Sequence, residues 1–140
     1  MIKMRESAMV DLFLKQYSHV ADYYKEVPVF AKSVDLVKMD RNKKTISAIE
    51  FKTNKWKDAE SQALRSAIAF DYLYICLLKP ATVECQNSII NECQNQGIGL
   101  YFLCCTTMQF ELAVEAVHRK EIWDIQHKHI YTYLENREHE

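Results

Sequence analysis

The pattern of hydrophobic and polar positions predicts two adjacent strands in the first third of the chain. Residues 33–39 and 45–52 are apolar runs with the two-residue period of a β-strand, separated by a polar turn at 40–44. Residues 72–78 and 98–105 are nearly continuous apolar runs, which are typical of strands buried on both faces. We therefore expect a sheet that contains an antiparallel hairpin and two central strands.

Two further segments are predicted to lie at edges of this sheet. Residues 26–30 form a short strand that Pro28 ends or places at an edge, because proline cannot donate a ladder hydrogen bond. Residues 107–115 alternate cleanly and predict a half-buried edge strand, with a helix as the alternative. On one face of that strand we expect Met108, Phe110, Leu112 and Val114.

Four stretches have the spacing of amphipathic helices: residues 4–17, 57–70, 81–96 and 118–136. Asn54 or Asp58 is the expected N-terminal signal of the second, and Gly97 is the expected C-cap of the third. Because a helix separates residues 72–78 from 98–105, parallel pairing of those strands is the default. The last helix is expected to bury Ile122, Ile125, Ile130, Tyr133 and Leu134.

The order of elements is α-β-β-β-α-β-α-β-β-α, which predicts an α/β domain in three layers. We expect a mixed sheet with helices on both faces. A chain of 140 residues with two glycines and two prolines shows no linker or repeat, so we expect residues 1–140 to form one domain.

The net charge of −1 provides no global field toward nucleic acid or an anionic membrane. A polyanion site would have to be a local patch, and residues 38–57 contain seven cationic side chains against two acidic ones. The alternative is a solvated turn that is rich in lysine. The cationic residues are Lys38, Arg41, Lys43, Lys44, Lys52, Lys55 and Lys57.

The five cysteines form no C-x-x-C pair and lie mostly in apolar runs, so we expect reduced, buried thiols. The N-terminus has no signal-peptide core, and no apolar stretch approaches the length of a membrane span. These features predict a cytoplasmic protein without a membrane partner. His127 and His129 do not indicate a metal site, since on a helix they point about 200° apart.

Candidate chemistry is concentrated on the predicted hairpin. Glu50 and Lys52 project from one face of their strand, and Phe51 projects from the other. Pairing with the preceding strand brings Asp35 toward the same face. Two carboxylates and an ammonium at the end of a sheet can hold a divalent cation and stabilise charge on a phosphodiester. The alternative is an ion pair of Lys52 with Asp35 or Glu50.

Together these segments resemble the PD-(D/E)xK phosphodiesterase superfamily, which includes restriction endonucleases and Holliday-junction resolvases. The resemblance extends from Glu6 to Leu103 and includes VDLV with Asp35, AIEFK with Glu50 and Lys52, NKWKDAESQA, DYLYICLL and GIGLYFL. It implies a restriction-endonuclease-like core with the order α-β-β-β-α-β. The proline of the family name is replaced by Val34.

The resemblance also implies a role for each residue of the motif. Asp35 and Glu50 would bind Mg²⁺ or Mn²⁺, with the backbone carbonyl of Phe51 as a third ligand. Lys52 would orient or deprotonate the attacking water. Glu6 would be a further ligand, unless it only complements the dipole of the first helix. Gln62 would brace Lys52 or the scissile phosphate, unless its role is structural.

Beyond the motif, we expect Lys55, Lys57 and Arg65 to contact phosphates and Trp56 to stack on bases; the alternative for Trp56 is a lid over the core. The predicted function is hydrolysis of DNA phosphodiesters by a metal-dependent endonuclease or exonuclease, with RNA not excluded as substrate. A homodimer, as in resolvases, is a further possibility. The alternative is a non-catalytic module of the same fold that binds nucleic acid or a protein partner.

Overall fold

The computed structural model describes residues 4–140, which form a six-stranded mixed sheet with helices on both faces. The predicted α/β fold is confirmed. The strands are β1 (Asp22–Val29), β2 (Lys32–Asp40), β3 (Thr45–Lys52), β4 (Tyr72–Leu78), β5 (Gly99–Cys104) and β6 (Gln109–Val114). The helices are α1 (Glu6–Tyr17), α2 (Trp56–Arg65), α3 (Val83–Gln96) and α4 (Asp124–Glu135), with a 3-10 turn at Ala67–Ala69.

The order of strands in the sheet follows the order of the chain from β1 to β6. Short turns join β1, β2 and β3, which therefore pair antiparallel. The crossovers through α2 and α3 make β3, β4 and β5 parallel, as expected from the apolar runs and the intervening helices. Strand β6 then pairs antiparallel with β5 and forms the second edge.

One face of the sheet is covered by α1, which is anchored by Phe13. This ring is fully buried and meets the rings of Tyr23, Phe51, Tyr101 and Phe110 edge-on, with centroid separations of 5.9, 5.6, 5.1 and 5.2 Å. Each such pair adds about 0.5–1.5 kcal/mol to the free energy of burial. Because Phe51 belongs to β3, this packing holds α1 against β3, and the start of the helix lies near the end of that strand, with Oε1 of Glu6 at 3.8 Å from Nζ of Lys52.

The other face is covered by α2, α3 and α4. Helix α2 presents the small side chains Ala59 and Ala63 to the sheet, so its backbone approaches closely above β3 and β4. A close contact is also built into β5, where a Cβ on Gly99 would lie 2.3 Å from the ring of Tyr74. That position therefore requires glycine.

The β1–β2 hairpin is kinked at Glu26 and Asp35. The ladder skips these two residues and pairs the residues on either side of them. Glu26 has a φ of 51°, in the left-handed region that non-glycine residues seldom adopt. The β2–β3 ladder ends at the pair Leu36–Ile49, so the kink releases Asp35 from backbone pairing with β3.

Strand β1 begins at Asp22, four residues before the predicted start. Tyr23 and Tyr24 are both buried, in the cores on opposite faces of the sheet. The start of β1 therefore lacks the alternation of apolar and polar residues by which a half-exposed strand is recognised. The expected edge position is confirmed, because within the described part of the chain β1 pairs with β2 alone, and Pro28 lies near its end.

Helix α2 ends at Arg65, and the predicted continuation to residue 70 is wrong. The hydroxyl of Ser66 donates a hydrogen bond to the carbonyl of Ala63, and the chain then tightens into the 3-10 turn. Neither predicted N-terminal signal is used, since the N-cap is Lys55 and makes no side-chain cap. Gly97 is the C-cap of α3 with a φ of 70°, as predicted.

Two predictions near the C-terminus need correction. Strand β6 exists at the expected edge, but the four apolar residues do not share one face. A register shift beside Tyr101 places Phe110 and Val114 in the cores on opposite sides of the sheet, and Met108 and Leu112 are exposed. The last helix begins only at Asp124, because the preceding segment donates backbone hydrogen bonds to the carbonyls of Gly97, Asp71 and Ile68. Ile130 and Leu134 are buried as expected, whereas Ile125 is 82% exposed and Tyr133 is also exposed.

All five cysteines are free thiols, but only Cys76 and Cys93 are buried. Cys85 and Cys105 are exposed, so the expectation of uniformly buried thiols is wrong for them. Within residues 4–140, no helix has both the length and the apolar character needed to cross a bilayer.

Candidate functional site

A cleft of about 260 Å³ opens where β3 ends, between the β1–β2 hairpin, the start of α1 and the end of α2. Each of these elements contributes side chains that the sequence marked as candidates. The cleft is lined by Glu6, Val29, Phe30, Lys32, Ser33, Val34, Asp35, Glu50, Lys52, Gln62, Arg65 and Ser66.

Asp35 is held in this cleft by the backbone of β3. Its Oδ2 atom accepts a hydrogen bond of 2.8 Å from the N–H of Phe51, which continues the hydrogen bonding beyond the end of the ladder. Burial raises the pKa of Asp35, and the nearby carboxylates of Glu26 and Glu6 add to the increase. The Phe51 N–H and Lys52 act in the opposite direction.

Glu50 is only 3% exposed and lies at the floor of the cleft. Burial raises the pKa of its carboxyl group to about 8, and the negative charge of Asp35 contributes to the rise. A hydrogen bond from the backbone of Asp35 offsets part of this effect, and the cations of Arg65 and Lys52 offset a further part. Two carboxyl groups thus share a poorly hydrated space in which ionising both is unfavourable.

Lys52 ends β3 and is partly buried at the mouth of the cleft. Its Nζ atom lies 3.8 Å from Oε1 of Glu6, a weak ion pair that differs from the alternative expected from the sequence, a pair with Asp35 or Glu50. Glu6 is in the first turn of α1, where its charge also suits the positive end of the helix dipole. The metal-ligand role of Glu6 stays a prediction.

Gln62 and Arg65 approach from α2, one turn apart, and both line the cleft. Gln62 is half-buried, whereas Arg65 is exposed and near enough to Glu50 to affect its ionisation. Arg65 is the last residue of α2, because the helix ends five residues earlier than predicted. The roles of bracing Lys52 and contacting phosphate are untested.

Lys55, Trp56 and Lys57 do not line this cleft. The Trp56 ring packs against the core under α2, and Nζ of Lys57 lies 5.7 Å from the ring centroid. This placement favours the lid that was the alternative for Trp56. Lys55 and Lys57 are exposed beside the site, so phosphate contact by them stays a prediction.

The basic patch expected along residues 38–57 is divided between two ends of the sheet. Lys38, Lys43 and Lys44 lie at or near the turn that precedes β3, and Lys52 lies at the end of that strand. Eight residues of strand separate the groups by on the order of 25 Å. Arg41, in the same turn, is engaged by Asp22 at 2.5 Å. The sequence therefore overestimated the local positive charge at the cleft.

The donor set of the cleft is two carboxylates rather than a larger cluster. Within residues 4–140, no group of three or more histidine, cysteine, aspartate or glutamate side chains is arranged to hold a metal ion. Asp35 and Glu50 nevertheless offer hard oxygen atoms in the combination that Mg²⁺ takes, since this ion often binds one or two carboxylates together with waters and phosphate oxygens. The residues present therefore fit Mg²⁺ or Mn²⁺, provided that waters and phosphate oxygens of a substrate supply the remaining ligands.

The structure adds residues that the sequence did not single out. Glu26, at the kink, affects the ionisation of Asp35, and Lys32 and Ser33 line the cleft directly before it on β2. Lys32 and Ser33 could have been predicted to line the cleft, because they lie three and two residues before Asp35 in the sequence. For Glu26 and for Phe30 at the hairpin tip there was none, because their left-handed backbone conformations are rare for these residue types.

Comparison with known proteins gives a fold but no function. No protein-family model matches the chain, and no curated protein matches it significantly. Among solved structures, it is similar to the SPO1766 protein of unknown function from Silicibacter pomeroyi. The TM-score is 0.64 with 15% sequence identity, over 94% of this chain and 84% of the other. At this identity the similarity concerns the fold alone.

Proposed function

We propose that the protein is a metal-dependent hydrolase of DNA phosphodiester bonds. The observation that carries the proposal is the pairing of Asp35 with the buried Glu50 in an open cleft that also contains Lys52. Burial and mutual repulsion raise the pKa of Glu50 to about 8. A divalent cation between the two groups would remove that repulsion. Ion binding would therefore explain why two carboxyl groups are buried side by side, which packing of the core does not explain.

The order of elements supports the same proposal. Helix α1, three antiparallel strands, helix α2 and the parallel strand β4 follow one another along the chain. This order is similar to the α-β-β-β-α-β core of the PD-(D/E)xK superfamily, with the carboxylates and lysine on its second and third strands. We therefore propose one restriction-endonuclease-like domain that includes Glu6 and Gln62 in its site.

In the proposed reaction, Mg²⁺ or Mn²⁺ would supply charge neutralisation at the scissile phosphate and make water a better nucleophile. Asp35 and Glu50 would hold the ion through carboxylate oxygens, with the backbone carbonyl of Phe51 as a third ligand. Lys52 donates hydrogen bonds from Nζ to the attacking water or to a phosphate oxygen. Arg65 on α2 offers a second cation to the phosphate backbone.

The second candidate is a non-catalytic module that binds nucleic acid or a protein partner. It is favoured by the net charge of −1 and by the division of cations between the two ends of β3. A homodimer would enlarge the surface that grips the substrate, and RNA is the alternative nucleic acid. The free thiols support a reducing compartment, and we propose the cytoplasm.

The test is cleavage of labelled DNA, single-stranded and duplex, with Mg²⁺, with Mn²⁺ and with EDTA. We expect metal-dependent cleavage that falls by about 10²- to 10⁴-fold in Lys52→Ala and in Glu50→Gln. The matched control is Lys25→Ala, because Lys25 is also a strand lysine paired with a carboxylate of α1, at 2.7 Å from Asp11, but lies outside the cleft lining.

Activity that persists in both site variants would contradict the assignment of residues. A wild-type protein that cuts no DNA and binds no Mn²⁺ in calorimetric titration would support the non-catalytic module instead. Loss of activity in Lys25→Ala as well would point to a general effect of the α1 contacts, and not to chemistry at Lys52.

A further inference from the structure

We propose that Phe30 stacks on an unpaired base next to the scissile phosphate, so that the substrate is DNA whose strand is single or splayed at the cut. This inference rests on the proposed function, and it names the class of substrate for that same cleft. It begins from the position of Phe30 at the tip of the β1–β2 hairpin.

Phe30 stands between two depressions of the surface. One is the cleft with Asp35 and Glu50, and the other is a groove of about 470 Å³ against α4. Phe30 and Val29 line both, so a chain that leaves the cleft in this direction must pass over the ring. The groove is lined by Pro28, Val29, Phe30, Gln126, His129, Ile130 and Tyr133.

The conformation of Phe30 has no structural advantage. It occupies a two-residue turn between Val29 and Lys32 with a φ of 58°, where glycine or asparagine is the usual residue. It is 52% exposed, so the ring gains much less from burial than a core phenylalanine such as Phe13 does. A bulky aromatic residue that is both strained and exposed at the rim of a candidate site points to a role in binding.

The side chains along the two depressions favour nucleic acid as the occupant. On the cleft side, Lys32 and Arg65 offer cations for the phosphates that flank the scissile bond. On the groove side, the exposed Tyr133 of α4 provides a second aromatic surface. Alternating phosphate-binding cations and aromatic rings are the features by which proteins hold a single strand.

The unpaired state of the base follows from the geometry of stacking. In a continuous duplex both faces of every base are covered by neighbouring bases, so a protruding ring has no face to meet. In a single strand, a flap or a frayed end, one face is available, and its contact with an aromatic side chain changes affinity by about tenfold or more. Phe30 should therefore discriminate between paired and unpaired substrate.

The experiment compares three variants in binding and in cleavage. Phe30→Gly removes the ring and suits the left-handed backbone, and Phe30→Tyr keeps a ring. Met108→Gly is the matched control, because Met108 also has a positive φ, 57°, and is exposed, but lies in the turn before β6. Binding is followed by the fluorescence of 2-aminopurine in an oligonucleotide, which is quenched when the base stacks.

We expect Phe30→Gly to lose the quenching, to bind the single strand about tenfold more weakly and to cut it about tenfold more slowly. Its ratio of single-strand to duplex cutting should therefore fall about tenfold, and Phe30→Tyr and Met108→Gly should keep the wild-type ratio. An equal effect of Phe30→Gly on single-stranded and duplex DNA would overturn the inference.

Two further outcomes would also overturn it. One is wild-type protein that binds neither form of DNA. The other is a change from dimer to monomer in sedimentation of Phe30→Gly, which would make a second copy the occupant of the groove. Failure of the proposed function is distinguishable, since it would show as stacking and binding without any metal-dependent cleavage.

Discussion

Two buried carboxyl groups lie at opposite ends of the parallel strands, and their surroundings differ completely. Asp71, which precedes β4, is 7% exposed, and Glu50, near the end of β3, is 3% exposed. Asp71 accepts a hydrogen bond from the N–H of Ile46 at 2.8 Å and contacts Nε2 of His127 at 2.7 Å and of His118 at 3.1 Å. Glu50 instead faces the like charge of Asp35.

The comparison distinguishes Asp71, whose hydrogen bonds connect parts of the fold, from Glu50, whose neighbours include a second carboxyl group. The partners of Asp71 come from β3, α4 and the segment before α4, so this side chain ties three parts of the chain together. The backbone N–H of Asp35 and the cations of Arg65 and Lys52 offset only part of the cost of burying Glu50 beside Asp35, and its pKa stays raised. Such groups are frequent where a protein binds a ligand. Burial alone would not have distinguished them.

The largest effect is expected from removing the satisfied carboxylate. Asp71→Ala leaves the N–H of Ile46 and two imidazole rings without their acceptor, and we expect it to lower the free energy of unfolding by about 3 kcal/mol. Chemical denaturation followed by circular dichroism measures this, with the exposed Asp58→Ala as control. A change of less than about 0.5 kcal/mol would mean that the cluster does not hold α4 to the sheet.

A change of opposite sign is expected from removing the partly compensated carboxylate. Glu50→Gln should raise the free energy of unfolding by about 2 kcal/mol at pH 8, because it eliminates a charge that burial and Asp35 oppose. The exposed Glu135→Gln is the control. Destabilisation by Glu50→Gln would show that the ionised group has partners that stabilise it.

The same variant tests the pH dependence. The pKa of Glu50 is about 8 in the folded protein, against 4.5 for an ordinary glutamate, so the folded state binds more protons between these values. Its contribution to stability is therefore complete below pH 4.5 and is lost as the pH rises toward 8. The raised pKa of Asp35 acts in the same direction. Glu50→Gln should flatten this slope in denaturation curves recorded across the range.

The smallest effects should rank the two histidines around Asp71. The side chain of His127 is 21% exposed at 2.7 Å from the carboxylate, and that of His118 is 52% exposed at 3.1 Å. We expect His127→Ala to cost about 1.5 kcal/mol and His118→Ala about 0.5 kcal/mol, measured by the same denaturation against the exposed His19→Ala. A larger loss of stability in His118→Ala than in His127→Ala would mean that Asp71 stabilises mainly the segment before α4, and not α4 itself.

Much of the central sheet could be predicted from the sequence because its signals are local. Strands β3 and β4 have their predicted bounds, since apolar runs of strand length end at polar or proline-containing turns. The convergence of Asp35 and Glu50 followed from the two-residue period and the hairpin. What these residues bind is a property of their shared environment, which the strand period does not determine.

The remaining features depend on contacts between distant parts of the chain. Asp71 precedes β4 as a single acidic residue, and His118 and His127 reach it from beyond β6. The backbone N–H of Arg119 bonds to the carbonyl of Asp71 at 2.7 Å, so helical periodicity over residues 118–123 was overridden by this docking. The kink at Glu26 likewise has no local sequence signal.

The hydrogen bond between Asp35 and Phe51 has a consequence for how this protein can diverge. One oxygen, Oδ2, fastens the hairpin to β3, which leaves Oδ1 as the atom able to serve an ion. Asparagine cannot do both, because its amide has a single oxygen. If that oxygen accepts the hydrogen bond from Phe51, the NH₂ group faces the ion. Where no ion is bound, asparagine at position 35 can still accept the hydrogen bond from the Phe51 N–H and keep the hairpin closed. Only a protein that binds an ion with Oδ1 needs an acidic residue at that position.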